Sequence, residues 1–177
     1  MGMSTPERIE ASVRAALDAL GAEYEAMPCD PDFADTAAFC ERYGVPPDRS
    51  ANTILVASKK DPKRYGVGIV LATTRLDVNK KMTELLEVRR LSFATAEETI
   101  AATGMMVGGV TPFSLPPELP IFVDSRVMRA PDVVLGGGSR SMKVRVAPEV
   151  LSRLPNVRVV EGLASVAAAV SQPRFQT

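Results

Sequence analysis

The chain has 177 residues, a length typical of one domain that buries roughly 70% of its extended-chain surface. It contains no histidine, which excludes Ser-His-Asp and Cys-His catalysis, histidine general bases and the commonest zinc sites. Its 21 basic and 21 acidic residues give no net charge, so any electrostatic binding of nucleic acid has to come from a local basic patch.

Cysteine content and hydropathy predict a soluble cytoplasmic protein. Cys29 and Cys40 are too few for a disulfide framework. They could pair with each other, but free thiols in a reducing cytosol are the favoured interpretation. No apolar run approaches the roughly 20 residues needed to span a bilayer, and residues 1–10 lack the apolar core of a signal peptide. We therefore expect no membrane partner.

The first half of the chain begins with helical periodicity and continues into a hairpin. A basic segment, 59–64, separates the two hairpin strands and carries Lys59, Lys60, Lys63 and Arg64. This segment is either a solvated loop or a contact for a phosphate backbone. The predicted elements are a helix over 5–20, a strand over 23–27, a helix over 35–43, strands over 53–57 and 65–71, and helices over 77–88 and 95–103.

The second half is punctuated by glycine and proline, with short apolar strands between them. The predicted elements are strands over 121–123, 133–135, 144–146 and 157–160, a short helix over 148–154 and a terminal helix over 163–170. Strands mixed irregularly with short helices indicate an α+β fold with a mixed, barrel-like sheet surrounded by short helices. We find no domain boundary and expect a single domain over 1–177, with its core at about 22–164.

Two glycine-rich segments are candidates for a pocket rim. The run 136–141 reads Gly-Gly-Gly-Ser-Arg-Ser, and 108–112 reads Gly-Gly-Val-Thr-Pro. Consecutive glycines let backbone N–H groups approach an anion closely. The first run fits neither the dinucleotide nor the P-loop pattern, because a strand and not a helix is predicted after it. Each segment alone is equally consistent with a bend between strands.

An acidic turn invites a calcium-loop interpretation that the spacing rejects. Asp30, Asp32 and Asp35 lie close together, and the twelfth position from Asp30 holds Glu41, the glutamate that an EF-hand needs. The sixth position holds Asp35, where an EF-hand needs glycine, so the pattern fails. We expect no metal and no other cofactor.

In the order of its elements the chain resembles the YbaK/aminoacyl-tRNA deacylase family, the free-standing relatives of the bacterial prolyl-tRNA synthetase editing domain. The resemblance covers about 22–164. The matching segments are 51–56, 71–77, 103–113, 119–124 and 133–144. It implies hydrolysis of the ester between a mischarged amino acid and the tRNA 3′ end. An aminoacyl ester is already activated, so backbone N–H groups and a positioned water or ribose hydroxyl can suffice without histidine.

Glycine chemistry and this resemblance together define the predicted site. We expect the catalytic group to be Asn52, Gly108, Gly109 and Lys143. The predicted substrate-binding residues are Thr111, Pro112, Gly136, Gly137, Gly138, Ser139, Ser141 and Met142. The predicted contacts to the tRNA backbone are Lys59, Lys60, Lys63 and Arg64. The expected partners are the 3′ end of an aminoacyl-tRNA and an aminoacyl-tRNA synthetase, and the protein is expected to be a monomer or a homodimer.

The chain departs from the family pattern at one position. The family usually carries a lysine where this chain has Asn52, which can donate a hydrogen bond but has no charge. Lys143, beside the glycine bend, is a candidate source of charge, although strand alternation leaves open which face it occupies. The alternative function is therefore a non-catalytic protein that binds aminoacyl-tRNA or a small aminoacyl-like ligand on the same fold.

Overall fold

The computed structural model describes residues 5–166 as an α+β fold. Among these residues, no helix is long and apolar enough to cross a membrane. The helices are α1 (Pro6–Ala19), α2 (Thr36–Tyr43), α3 (Thr83–Leu86), α4 (Ala96–Thr103) and α5 (Ser125–Met128). The strands are β1 (Tyr24–Pro28), β2 (Ala51–Ser58), β3 (Tyr65–Leu71), β4 (Thr74–Leu76), β5 (Leu91–Phe93), β6 (Ile121–Asp124), β7 (Val133–Gly136), β8 (Met142–Val146), β9 (Val157–Val160) and β10 (Ala164–Val166).

The predicted hairpin of β2 and β3 is confirmed and forms the centre of a mixed sheet. The two strands pair antiparallel from Ala51–Leu71 to Ala57–Tyr65. The five-stranded sheet has the order β5-β2-β3-β6-β9, and β3, β6 and β9 run parallel to one another. The hairpin therefore lies at the junction of the antiparallel and parallel parts of the sheet.

A second sheet carries the glycine bend. It has the order β1-β8-β7 and is antiparallel throughout. A parallel bridge between Ser50 and Val134 places the beginning of β2 beside β7. The third sheet contains only β4 and β10. The barrel-like description is not confirmed, because residues 5–166 form three sheets and not one sheet closed on itself.

Helix α1 covers the core where the two larger sheets meet. Its N-cap is Thr5, whose hydroxyl accepts a hydrogen bond from the Arg8 amide at 3.3 Å. Its apolar stripe, Ile9, Val13 and Leu17, is buried in the main core cluster with residues from β2, β3, β6, β7 and β8. The amphipathic pattern therefore fixes how α1 packs over the glycine bend.

The terminal helix predicted over 163–170 is wrong where the structure describes it. Residues 164–166 form β10, whose pairing with β4 includes Ala164 opposite Leu76. The Asp124 carboxylate accepts a hydrogen bond from the Ala164 amide at 2.7 Å. These tertiary hydrogen bonds outweigh the helix preference of an alanine-rich segment. Residues 167–170 lie outside the described part of the chain.

The single helix predicted over 77–88 is also corrected. Asp77 caps the segment as predicted, accepting a hydrogen bond from the Lys80 amide at 3.0 Å. The first turns are a π-helix, Val78–Met82, and only Thr83–Leu86 is α-helical. The Thr83 hydroxyl donates to backbone carbonyls of this π segment and competes with regular helical bonding. Strands β4 and β5 were not predicted, because three residues are too short for a periodicity signal.

We predict that Gly138→Ala destabilises the protein by about 2–5 kcal/mol, the sum of left-handed strain and overpacking. Gly138 has φ +95°, and an added Cβ would lie 2.5 Å from Ile9 Cγ2 and 3.1 Å from Val13 Cγ2 of α1. Urea unfolding measures the loss. Gly104→Ala is the control, because Gly104 has φ +68° with no atom within 4 Å, and should lose about 1–2 kcal/mol. Equal losses in the two variants would contradict the packing of α1 on this glycine.

Candidate functional site

The two glycine-rich segments contact each other backbone to backbone. We call 105–113 the first glycine loop and 136–141 the second glycine loop. The Gly138 amide donates to the Gly109 carbonyl at 2.6 Å, and the Met106 amide donates to the Gly138 carbonyl at 3.0 Å. An added Cβ at Gly136 would lie 2.7 Å from the Gly109 carbonyl oxygen. Glycine is therefore required here for close approach, and the sequence-based expectation that both loops share one rim is consistent with this contact.

The internal hydrogen bonds of the loops decide which N–H groups remain available. The Gly109 amide donates to the Met106 carbonyl at 2.9 Å, and the Gly138 amide is used as described above. The Gly108 amide has no hydrogen-bond partner within residues 5–166. Among the two predicted catalytic glycines, Gly108 therefore carries the donor that a substrate could use.

Lys143 on β8 points into the protein beneath the first glycine loop. Only 6% of the residue is exposed. Its Nζ donates to the Ala34 carbonyl at 2.7 Å and to the Gly108 carbonyl at 3.3 Å, and lies 5.4 Å from the centre of the Phe39 ring. The question that strand alternation left open is thereby answered: Lys143 lies against the glycine loop.

Burial dominates the protonation of this amine. Removal from water lowers the pKa of Lys143, because desolvation penalises the charged form. The positive charge of Arg140 lowers this pKa further, whereas Cys29, Asp35 and Cys40 act in the opposite direction. Both cysteines are free, as the sequence favoured, and both are buried. Burial raises the pKa of each thiol.

Asn52 lies on β2 and faces the beginning of α2. Its Oδ1 accepts a hydrogen bond from the Thr36 hydroxyl at 2.5 Å. With Oδ1 engaged, Nδ2 has no hydrogen-bond partner within residues 5–166. The Nδ2 group of Asn52 is therefore available as a hydrogen-bond donor. A lysine amine is also a hydrogen-bond donor, so the two side chains share this capacity.

One short segment, 34–36, brings Asn52 and Lys143 together. The Ala34 carbonyl binds Lys143, and the Thr36 hydroxyl binds Asn52. Strand pairing supports the same arrangement, because Lys143 lies opposite Gly136 on β7 and the parallel bridge from Val134 to Ser50 places the beginning of β2 beside β7. Since Lys143 also binds Gly108, three of the four predicted catalytic residues meet around the beginning of α2. We call Asn52, Gly108, Lys143 and 34–36 the candidate site.

The predicted substrate-binding residues are all buried except Ser141, which is exposed. Thr111 is fully buried, and its hydroxyl has no hydrogen-bond partner within residues 5–166. Ser139 is engaged internally, because its hydroxyl donates to Glu10 on α1 and accepts from the Ser141 amide. The Met142 side chain belongs to the main core cluster. Pro112, Gly137 and Gly138 are buried as well, so these residues shape the loops from inside.

Arg140 was given no role from the sequence, although it lies within the second glycine loop. Its guanidinium donates to the carbonyls of Pro31 and Val107 and contacts the Asp35 carboxylate at 3.2 Å. Asp35 occupies the N-cap position of α2 without a side-chain capping bond. A charged residue between glycines and serines was the available signal, but its partners are distant in sequence.

The predicted tRNA-backbone residues lie at the other end of β2. Lys63 is paired with Glu98 at 3.2 Å, and the Arg64 guanidinium donates to the Leu86 carbonyl at 3.0 Å. Lys59 and Lys60 have exposed side chains. Seven residues of extended strand separate Asn52 from Lys59, which corresponds to about 23 Å. The basic tip is therefore remote from the candidate site.

A surface cavity of about 400 Å³ lies on α2 and the turn before it. It is lined by Phe33, Ala38, Glu41 and Arg42. The Arg42 guanidinium lies 5.6 Å from the centre of the Phe33 ring. Phe33 directly precedes Ala34, whose carbonyl binds Lys143, so the cavity and the site are linked through the turn before α2. The α2 residues that line the cavity lie on the helix face away from Phe39, which contacts Lys143.

Comparison with known proteins gives a consistent family. A model described as "Aminoacyl-tRNA editing domain" matches residues 30–154. The chain is 23% identical over 131 residues to a protein of Enterococcus faecalis (strain ATCC 700802 / V583) named "Putative Cys-tRNA(Pro)/Cys-tRNA(Cys) deacylase EbsC". That match covers 73% of this chain and 77% of the relative.

Solved structures show the same fold. One, described as "a putative trans-editing enzyme for prolyl tRNA synthetase", is 23% identical with a TM-score of 0.74, covering 89% of this chain and 97% of its own. A second, a hypothetical protein, is 24% identical with a TM-score of 0.76, covering 87% of this chain and 99% of its own. The resemblance drawn from the sequence is confirmed: the chain belongs to the aminoacyl-tRNA editing domain family.

Proposed function

We propose that this protein hydrolyses the ester bond of mischarged aminoacyl-tRNA and acts in trans, as a free-standing editing enzyme. The observation that carries the proposal is the convergence of Gly108, Lys143 and Asn52 around 34–36. This group combines a free backbone N–H, a buried amine and a carboxamide donor. An activated ester needs such electrostatic stabilisation more than it needs a strong nucleophile.

In the proposed reaction, water attacks the ester carbonyl carbon and the carbonyl oxygen becomes an oxyanion. The Gly108 N–H donates to this oxygen, and protonated Lys143, bound to the carbonyl of the same residue, places positive charge behind the loop. The bond between the carbonyl carbon and the ribose oxygen then breaks. The proton lost by water reaches the leaving ribose oxygen through the neighbouring ribose hydroxyl, so the substrate supplies the proton transfer itself.

Asn52 takes the orienting part of the role that the family usually gives to lysine. Because its Oδ1 accepts from Thr36, its Nδ2 is directed to donate to the ribose or to the ester carbonyl. It supplies no charge, and in this proposal the charge comes from Lys143 on β8. The positive charge and the hydrogen-bond donor therefore come from two residues, Lys143 on β8 and Asn52 on β2, where the family usually has a single lysine.

We propose that the terminal adenosine of the tRNA contacts the cavity beside Phe33 and Arg42. Aromatic rings and guanidinium groups are common stacking partners for unpaired bases. Lys59 and Lys60 are proposed to contact the phosphate backbone further from the 3′ end, at the remote basic tip. These assignments imply that ester hydrolysis and binding of the tRNA backbone depend on separate sets of residues.

A second candidate function is binding of aminoacyl-tRNA, or of a small aminoacyl-like ligand, without turnover. The observation that favours it is the burial of Lys143, whose Nζ is held by two carbonyl oxygens. In that case the protein binds charged tRNA saturably at low salt, and hydrolysis stays at the buffer rate.

The test is a panel of mischarged tRNAs, with release of the amino acid measured under single turnover. We expect at least one substrate to be hydrolysed above the buffer rate. Lys143→Met should reduce this rate by about 10- to 100-fold, because it removes charge at the oxyanion. Lys80→Met, which changes an exposed lysine, is the control and should leave the rate unchanged. A panel in which no substrate exceeds the blank would contradict the proposed hydrolysis.

The basic tip gives a separate prediction. Replacing Lys59 and Lys60 by Gln should weaken binding of tRNA and reduce the slope of log affinity against log salt by about 2, one for each lost phosphate contact. Hydrolysis of a minimal aminoacyl-adenosine ester should be unaffected. The matched control replaces Arg75 and Lys80, both exposed, by Gln. An equal loss of tRNA affinity in the control would contradict a specific role for the tip.

A further inference from the structure

Arg140 contacts two separate segments of the chain at the rim of the candidate site. Its Nε and Nη2 donate to the Pro31 carbonyl at 3.1 and 2.9 Å. Its Nη1 lies 3.2 Å from both the Asp35 carboxylate and the Val107 carbonyl oxygen. The side chain is 26% exposed, so these contacts are formed mostly out of solvent. One guanidinium thus holds the turn before α2 against the first glycine loop.

Lys143 connects the same two segments from the inside. Its two carbonyl partners, Ala34 and Gly108, are the chain neighbours of Asp35 and Val107. Arg140 and Lys143 are three residues apart and lie on the outer and inner sides of the same junction. The position of the carbonyls that hold Lys143 therefore depends on the contacts that Arg140 makes.

The geometry of the peptide bond extends this effect to the proposed oxyanion donor. In a trans peptide the C=O and the N–H point in opposite directions, and Val107–Gly108 is trans, since the cis bond of the described chain is Asp61–Pro62. Fixing the Val107 oxygen therefore fixes the direction of the Gly108 N–H. Lys143 fixes the following peptide plane through the Gly108 oxygen. At Gly108 itself φ is +86°, and an added Cβ would collide with Arg140 Nη1.

We propose that Arg140 is a positioning residue, which directs the Gly108 N–H toward the ester oxygen by holding the Val107 carbonyl and keeps Lys143 seated between Ala34 and Gly108. This inference rests on the hydrolysis proposed above for its catalytic consequence. The contacts that carry it are independent of any substrate. Arg140 does not touch the reacting atoms in this account.

The charge of Arg140 affects a measurable quantity, the pKa of Lys143, which a purely structural role of Arg140 would leave unchanged. The groups that act on the Lys143 amine are Cys29, Cys40, Asp35 and Arg140. Of these, Arg140 lowers the pKa of Lys143, because a second positive charge disfavours protonation. Removing the charge should therefore raise the pKa of Lys143, whereas replacing Arg140 by another cation should leave it close to its original value.

The experiment compares Arg140→Gln and Arg140→Lys with the parent protein. Both variants should lower kcat by about 10- to 100-fold with KM nearly unchanged. Neither replacement has the planar guanidinium that contacts Pro31, Asp35 and Val107 at the same time. Only Arg140→Gln should raise the Lys143 titration midpoint, measured by NMR on the lysine Cε. Amide exchange at Gly108 and its ¹⁵N–¹H shift should change in both. Arg145→Gln is the control, because Arg145 lies on β8 with Lys143 and its loss breaks only an exposed ion pair to Glu25 of β1.

Two outcomes would overturn the positioning role: an unchanged Gly108 amide in both variants, or a kcat loss no larger than in Arg145→Gln. If the Arg140 variants unfold, Asp35→Asn is measured in their place, because it weakens only the contact between Arg140 and Asp35. The proposal then predicts a smaller change in the exchange rate and chemical shift of the Gly108 amide. A parent protein that hydrolyses no aminoacyl-tRNA would refute the proposed function. The NMR readouts on Gly108 and Lys143 would still decide whether Arg140 holds the loop, so the two failures are distinguishable.

Discussion

The rest of the site depends on one constraint: the Lys143 amine is buried, and no carboxylate within residues 5–166 forms a hydrogen bond with it. A buried ammonium is costly unless its donors are satisfied. Here the partners are the carbonyl oxygens of Ala34 and Gly108 and the face of Phe39. Satisfying the amine therefore requires the turn before α2 and the first glycine loop to be close together. Asn52 is bound to Thr36 of the same turn, so it is anchored two residues from the carbonyl that holds the amine.

Glycine residues allow the two glycine loops to lie close together. The two glycine loops exchange hydrogen bonds between Met106, Gly109 and Gly138, and a Cβ at Gly109 or Gly136 would collide with backbone atoms of the opposite loop. Once those bonds form, the Gly108 amide has no partner within residues 5–166. An unpaired amide beside a buried amine is suited to an oxygen that acquires negative charge. The absence of histidine agrees with such a site, because the stabilisation comes from backbone and lysine.

The sequence predicted those features that depend on local pattern. The stripe of α1, the hairpin of β2 and β3 and the glycine bend before β8 follow from periodicity and turn chemistry. What it could not predict depends on contacts distant in the chain. Strand β10 is set by pairing with β4, and the roles of Thr36 and Arg140 arise from partners 16 and 105 residues away. Alternation showed that Lys143 and Met142 face opposite sides of β8, but not which side holds the loop.

The central claim is that the Gly108 amide receives the developing oxyanion. The most direct measurement is the ¹H shift of that amide when the protein binds an aminoacyl-adenosine analogue whose ester carbonyl is replaced by a phosphonate, which mimics the tetrahedral intermediate. The account predicts a downfield shift of the Gly108 amide that is larger than with the corresponding planar amide analogue. Saturable binding of the phosphonate that leaves the Gly108 amide unshifted would contradict it.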